Sequence, residues 1–164
     1  MKTTPSILFE SALGAGAREM RRLIAADPDL ERLIACSHVR VACEVRPFCP
    51  HRHNSTRGPA IGYLSFTIDA GRVLTIQRAF VLPSHRRKGI ASEMVRKIER
   101  KANLVAVRAI VVEDDLDSIR WCQSLGMAGV ALGPAIEFKR LGMYDAGARV
   151  IDSILAGDGR VVRE

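Results

Sequence analysis

Aromatic side chains are scarce in this chain: five Phe, two Tyr and one Trp make up 5% of it. That leaves little stacking surface for single-stranded nucleic acid, so the net charge of +7 points to a different partner. No apolar stretch approaches the roughly 20 residues of a membrane-crossing helix. The Ile7-Leu8-Phe9 run is interrupted by Glu10 and Ser11, too soon for the apolar segment of a secretion signal. Cys36, Cys43, Cys49 and Cys122 show no CxxC spacing. In a chain with a real core they read as reduced thiols in a cytoplasmic setting. Cys43, Cys49, His51 and His53 are metal-ligand types, but their spacing fits no structural zinc pattern and three arginines lie close by. No metal is expected.

Nearly half of the 164 residues are hydrophobic, enough for one domain over residues 1–164 with a frayed tail at 157–164. After an extended start, Gly16–Ala25 reads as a helix. Asp27-Pro28 then supplies an N-cap and a first helical position for a second short helix carrying Leu30, Leu33 and Ile34. Val39–Val45 reads as a strand, Arg46–Pro59 as a long polar loop, and Ile61–Ile68 as the next strand. Asp69-Ala70-Gly71-Arg72 forms a tight hairpin, with Gly71 available for a positive φ. Val105–Val112 is apolar apart from Arg108, as in a strand covered on both faces. Asp114 and Asp115 are cap candidates for Leu116–Leu125, which Gly126 closes. Two short strands follow, Met127–Leu132 and Ala135–Leu141. Tyr144–Leu155 carries an apolar stripe of Val150, Ile151, Ile154 and Leu155. It suits a homodimer contact or a cover for the domain's own core.

The most informative stretch is Val73–Ala102, VLTIQRAFVLPSHRRKGIASEMVRKIERKA. It reads as a buried strand, a proline turn, a basic loop and an amphipathic helix with Ile90, Met94, Val95 and Ile98 on one stripe. Arg86-Arg87-Lys88-Gly89-Ile90-Ala91 places successive backbone N–H groups and three cations at a helix start. The helix dipole and unpaired N–H groups favour phosphate there, and Gly89 has no Cβ to hold an anion away.

These six residues match the Q/R-x-x-G-x-G/A signature of the GNAT N-acetyltransferase superfamily. The order of elements from Val73 to Met127 resembles that family as well. The resemblance implies an α+β fold: a mixed, mostly antiparallel sheet of six or seven strands with helices on both faces. It implies acetyl-CoA as cosubstrate, its pyrophosphate on the N–H groups of Lys88, Gly89, Ile90 and Ala91, with Arg86 or Arg87 toward the 3′-phosphate. The backbone of Phe80, Val81 and Leu82 would pair with the pantetheine arm, an N–H of Phe80 or Val81 polarising the thioester carbonyl. Asp115 stands where the family often has Asn near the pantetheine.

The resemblance further implies direct attack by a primary amine of a small molecule or protein acceptor, the first two helices walling the acceptor site. Neither nucleic acid nor membrane is an expected partner. Many relatives place Glu or His on the central strand as base. Thr75 and Gln77 occupy the comparable positions and cannot serve, which leaves His85, Asp69, Glu44 and Glu113. Trp121-Cys122-Gln123-Ser124-Leu125-Gly126-Met127 resembles the aromatic-Tyr ending, with Cys122 at the Tyr position that protonates the leaving thiolate. Cys122 as a buried packing thiol is the competing reading, and acyl-CoA binding without turnover is the competing function.

Overall fold

Buried Val39 and Val41 alternate with exposed His38 and Arg40, the pattern of a strand covered on one face. The structure, a computed structural model, describes residues 7–45 and 57–142. Cys49, His51 and His53, most of the Arg46–Pro59 loop and the Tyr144–Leu155 stripe lie outside the described residues. In chain order the elements are β1 (Ile7–Ser11), α1 (Ala12–Ala15), α2 (Ala17–Ala26), α3 (Asp29–Cys36), β2 (His38–Val45), β3 (Arg57–Ile68) and β4 (Val73–Val81). A 3-10 turn (Pro83–His85) leads into α4 (Ile90–Ala102), followed by β5 (Ala106–Val112), α5 (Leu116–Ser124), β6 (Ala128–Leu132) and β7 (Ala135–Leu141). The strands form one mixed seven-stranded sheet in the order β1-β2-β3-β4-β5-β7-β6.

The chain gathers into two units: residues up to Thr67 with Ile76–Ile98, and Ile68–Thr75 with those from Glu99 on. In the first, β1 and β3 flank β2 in antiparallel register, with Phe9 opposite Ala42 and Tyr63 opposite Val41. Leu23 of α2 and Leu30 and Leu33 of α3 bury against Val39, Val41 and Tyr63. The expected α4 stripe of Ile90, Met94, Val95 and Ile98 is buried, and Lys97 lies 4.3 Å above the Phe9 ring.

In the second unit β7 pairs antiparallel with both β5 and β6, Ile110 opposite Glu137 and Val130 opposite Glu137. Strands β5 and β6 are therefore parallel, with β7 between them, and joined through α5. Asp115 caps α5, its carboxylate accepting from the Ser118 N–H, and Gly126 closes it at a φ of 74°. Glu99 is buried here; its Oε2 accepts from Arg140 Nη2 at 2.7 Å, a pairing the sequence reading did not foresee.

Four expectations need correction. Strand β3 starts at Arg57, inside the segment expected to be loop. The left-handed residue of the 69–72 hairpin is Arg72, with a φ of 59°, rather than Gly71. Asp27 does not cap α3; its carboxylate is taken by Tyr63 and Arg78, and Pro28 holds the cap position. Among the described residues, strand β5 is covered on one face only: Val107, Ala109 and Val111 are buried, while Ile110 and Val112 are 56% and 60% exposed.

Candidate functional site

Proline ends β4 because it has no N–H to offer the ladder, and the turn that follows is tied down at several points. The N–H of Leu82 donates to Ile61 O at 2.9 Å, and the N–H of His85 to Leu82 O at 2.8 Å. Arg86 Nε reaches back to Val81 O at 2.9 Å. His85 Nε2 lies 2.7 Å from Glu44 Oε1 on β2, and its Nδ1 2.8 Å from Ser84 Oγ. Sequence reasoning named His85 and Glu44 separately as base candidates; the fold brings them together.

Beyond this anchored turn the loop Arg86–Gly89 is exposed and contains two left-handed residues, Arg87 at a φ of 62° and Gly89 at 74°. Left-handed backbone alternating with ordinary conformations turns successive N–H groups toward one point, the concavity that binds anions. A Cβ built on Gly89 meets nothing within 4 Å, so the space over this backbone is open. Arg87 bears the steric cost a side chain incurs there. Ile90 is buried and anchors the first turn of α4 to the core. All six motif residues thus occupy one loop and helix start.

The end of β4 lies tight against β3. A Cβ on Gly62 would stand 2.5 Å from Phe80 O, so only glycine allows that approach. Phe80 also stacks on Tyr63, with ring centroids 5.7 Å apart. Leu82 has both backbone groups engaged within the protein, and Val81 O accepts from Arg86 Nε. Gln77, on the same strand, accepts from Ser65 Oγ at 3.2 Å.

A second polar group was not anticipated. Asp27, 4% exposed, accepts from Tyr63 Oη at 2.7 Å and from Arg78 Nε at 2.6 Å and Nη2 at 2.9 Å. Arg78 Nη1 continues to Asp29 Oδ2 at 3.2 Å. Burial alone would raise the Asp27 pKa; the bonds from Arg78 and Tyr63, with the Arg78 charge, outweigh it and hold the carboxyl below its ordinary value. Burial, then the bond to Asp27, push the Tyr63 phenol up. The only sequence signal was an Asp ahead of a proline, which reads as a cap.

Within the second unit Cys122 is 1% exposed. Burial, and secondarily the Asp115 carboxylate, push its thiol up to about 11. Asp69 serves its hairpin, accepting from the Val73 N–H at 3.0 Å. Cys36, Cys43 and Cys122 are reduced thiols. Among the described residues no three His, Cys, Asp or Glu side chains gather as a metal site, and no helix is long and apolar enough to cross a membrane.

The sequence profile described as the acetyltransferase (GNAT) family matches residues 17–127. No curated protein matches the chain. Among solved structures, NAA60 of Arabidopsis thaliana in complex with acetyl-CoA superposes with a TM-score of 0.60 at 13% identity, over 83% of this chain and 99% of that one. Ard1 of Thermoplasma volcanium gives 0.58 at 17% identity, over 84% and 98%. An acetyltransferase of Bacillus subtilis in complex with CoA gives 0.56 at 12%, over 82% and 97%. Identities this low speak to the fold alone.

Proposed function

The chain belongs to the acetyltransferase (GNAT) family, and from that premise we propose that it moves the acetyl group of acetyl-CoA to a primary amine by direct attack. The observation that carries this reading is the loop itself: left-handed Arg87 and Gly89, three cations and open space over the backbone. The N–H groups of Lys88 to Ala91 hold the pyrophosphate, and the helix dipole adds to their pull. Arg86 or Arg87 meets the 3′-phosphate, the Arg86 Nε being bonded also to Val81 O.

The thioester carbonyl lies against the N–H of Phe80 or Val81, which stabilises the oxyanion as the amine nitrogen bonds to the carbonyl carbon. The C–S bond then breaks, CoA leaves as the thiolate, and the amine gives up its proton to solvent water. We assign the Glu44–His85 pair to holding the turn ahead of the phosphate loop, since His85 directly precedes Arg86. Cys122 is protonated at neutral pH, as a donor must be. Burial raises the thiol to about 11, above an ordinary thiol, so donation to a thiolate runs uphill. Water is the better source, and Cys122 belongs to the packing. Asp115 acts through its cap on α5.

The domain over residues 1–164 acts as one acyltransferase module in the cytoplasm on a small-molecule or protein amine, without a metal. The chief rival is acyl-CoA binding without turnover, favoured by Gln77 being engaged with Ser65 and by the tightly held Cys122 proton. Calorimetry with acetyl-CoA tests the loop: wild type should bind and Gly89→Glu should not. Thiol release with a panel of amines then separates transferase from binder. Binding without release on any amine sinks the transferase reading, and no binding sinks both.

A further inference from the structure

Three side chains of the first unit form a line from α3 to β4. Ser37, which closes α3, has its Oγ 2.6 Å from Leu33 O and 2.6 Å from Ser65 Oγ on β3. Ser65 is fully buried and its Oγ also meets the side-chain amide of Gln77, at 3.2 Å. Each hydroxyl has one proton to give and two lone pairs with which to accept. Leu33 O only accepts, so the Ser37 proton goes there. The contact between the two serines then takes the Ser65 proton. Donation from Ser65 to Gln77 Oε1, the longest of the three contacts, gives way, because it would leave two oxygens facing each other without a proton. Which way an amide points is set by its hydrogen-bond network. Turned by half a revolution, Gln77 Nε2 donates to Ser65, Ser65 to Ser37 and Ser37 to Leu33 O, and every proton is used once.

We infer that Gln77 is a specificity-determining residue, its NH2 locked on Ser65 and its carbonyl turned outward to accept an N–H of the acceptor amine. This rests on the acetyl-transfer reading, in which the cosubstrate is held at Lys88–Ala91 and runs back along β4 to Phe80. The next exposed side chains upstream on that strand, Gln77 and Arg78, lie beyond its acyl end, where an acceptor enters. Arg78 is already committed to Asp27 and Asp29, which leaves Gln77. Because Gln77 is exposed and Ser65 buried, the amide group not held on Ser65 is the one that faces solvent. A fixed carbonyl accepts and cannot donate. It takes a neutral amine by one N–H, leaves the nitrogen lone pair for the thioester carbon, and repels a carboxylate at the same point. Glutamine cannot remove the amine's proton, yet it can aim the amine.

NMR of the Gln77 side-chain amide tests the orientation on the full chain, and kinetics test the role. A Gln77 Nε2 proton should exchange about ten-fold slower in wild type than in Ser65→Ala, which has no hydroxyl to hold it. With the primary amine of the panel that releases thiol fastest, Gln77→Leu should lower kcat/KM for the amine about five- to ten-fold, the worth of one hydrogen bond. Its calorimetric affinity for acetyl-CoA should stay within about two-fold of wild type, which a general disturbance of β4 would not allow. Equal exchange in wild type and Ser65→Ala overturns the inference. So does an unchanged kcat/KM for the amine in Gln77→Leu, or a loss of acetyl-CoA affinity matching the loss of rate; each leaves the transferase reading standing. A wild type that binds acetyl-CoA and releases thiol with no amine removes that reading, and this inference with it.

Discussion

His85 on the turn after β4 and Glu44 at the end of β2 meet at 2.7 Å, Nε2 to Oε1, across 41 residues of chain. Gly58 allows this end of β2 to close, since a Cβ there would stand 2.7 Å from Glu44 O. The pair fixes the point at which the chain leaves the sheet for the phosphate loop. Glu44→Gln should therefore raise the KM for acetyl-CoA several-fold and leave kcat within about two-fold, the signature of lost ground-state binding. A fall in kcat of about 100-fold with unchanged KM would instead make His85 the proton acceptor. Steady-state kinetics with acetyl-CoA varied decides between them.

Arg87 holds a φ of 62°, where a Cβ costs roughly 1–2 kcal/mol. Glycine removes that cost but adds about 0.4–1 kcal/mol of freedom to the unfolded chain. Arg87→Gly should then be neutral to about 1 kcal/mol more stable, a rise in Tm of up to about 4 °C. Arg87→Val should lower Tm, because a β-branched residue tolerates that region poorly. Thermal unfolding of the two variants beside wild type measures both. A stabilised valine variant would show that the loop is not left-handed at this position.

Much of this site was legible because it is local. The phosphate loop depends on a strand, a proline, a glycine and a helix within Val73–Ala102, and each leaves its mark in neighbouring residues. Asp27 was misread because its partners, Tyr63 and Arg78, are 36 and 51 residues away; Asp before Pro is locally an excellent cap. Arg72 took the left-handed position while Gly71 stood beside it, since Asp69 bonds the Val73 N–H and sets the register of the turn. The apolar run of β5 suggested two covered faces, yet composition cannot say whether a covering element arrives. Glu99 shows the same limit: the partner of its buried carboxylate, Arg140, is 41 residues away.

Cys122 should prove a packing residue. Its thiol, pushed up to about 11 by burial and then by Asp115, stays protonated through the neutral range. Cys122→Ala should leave kcat within about two-fold and cost roughly 1 kcal/mol of stability. In the folded protein a disulfide reagent should modify exposed Cys36 well before Cys122. Because the folded pKa lies above the unfolded value near 8.5, the thiol's contribution is complete below that pH and is lost as pH rises toward 11. The alanine variant should lack that decline. A 100-fold loss of kcat in Cys122→Ala would restore it as proton donor.

The Asp27–Tyr63–Arg78 group sets both pH limits of the first unit. Asp27 titrates below its ordinary value once folded, so its stabilisation is present above about pH 4 and is lost as pH falls through the folded pKa. Tyr63 is shifted the other way; its stabilisation is complete below about pH 10 and is lost as pH rises beyond. Urea unfolding from pH 2 to 11 should therefore give a plateau with a fall at each end. Asp27→Asn should flatten the acid fall, and Tyr63→Phe the alkaline one. Arg78→Met strands a carboxylate that is 4% exposed, for which removing a partner costs roughly 3–5 kcal/mol. Arg78 itself is 43% exposed, so water replaces part of its role and the lower end, about 3 kcal/mol, is expected. The double variant Asp27→Leu/Arg78→Met removes the stranded charge and should recover most of that loss. If the double variant is as unstable as Arg78→Met alone, burial of the charge is not what makes the single substitution costly.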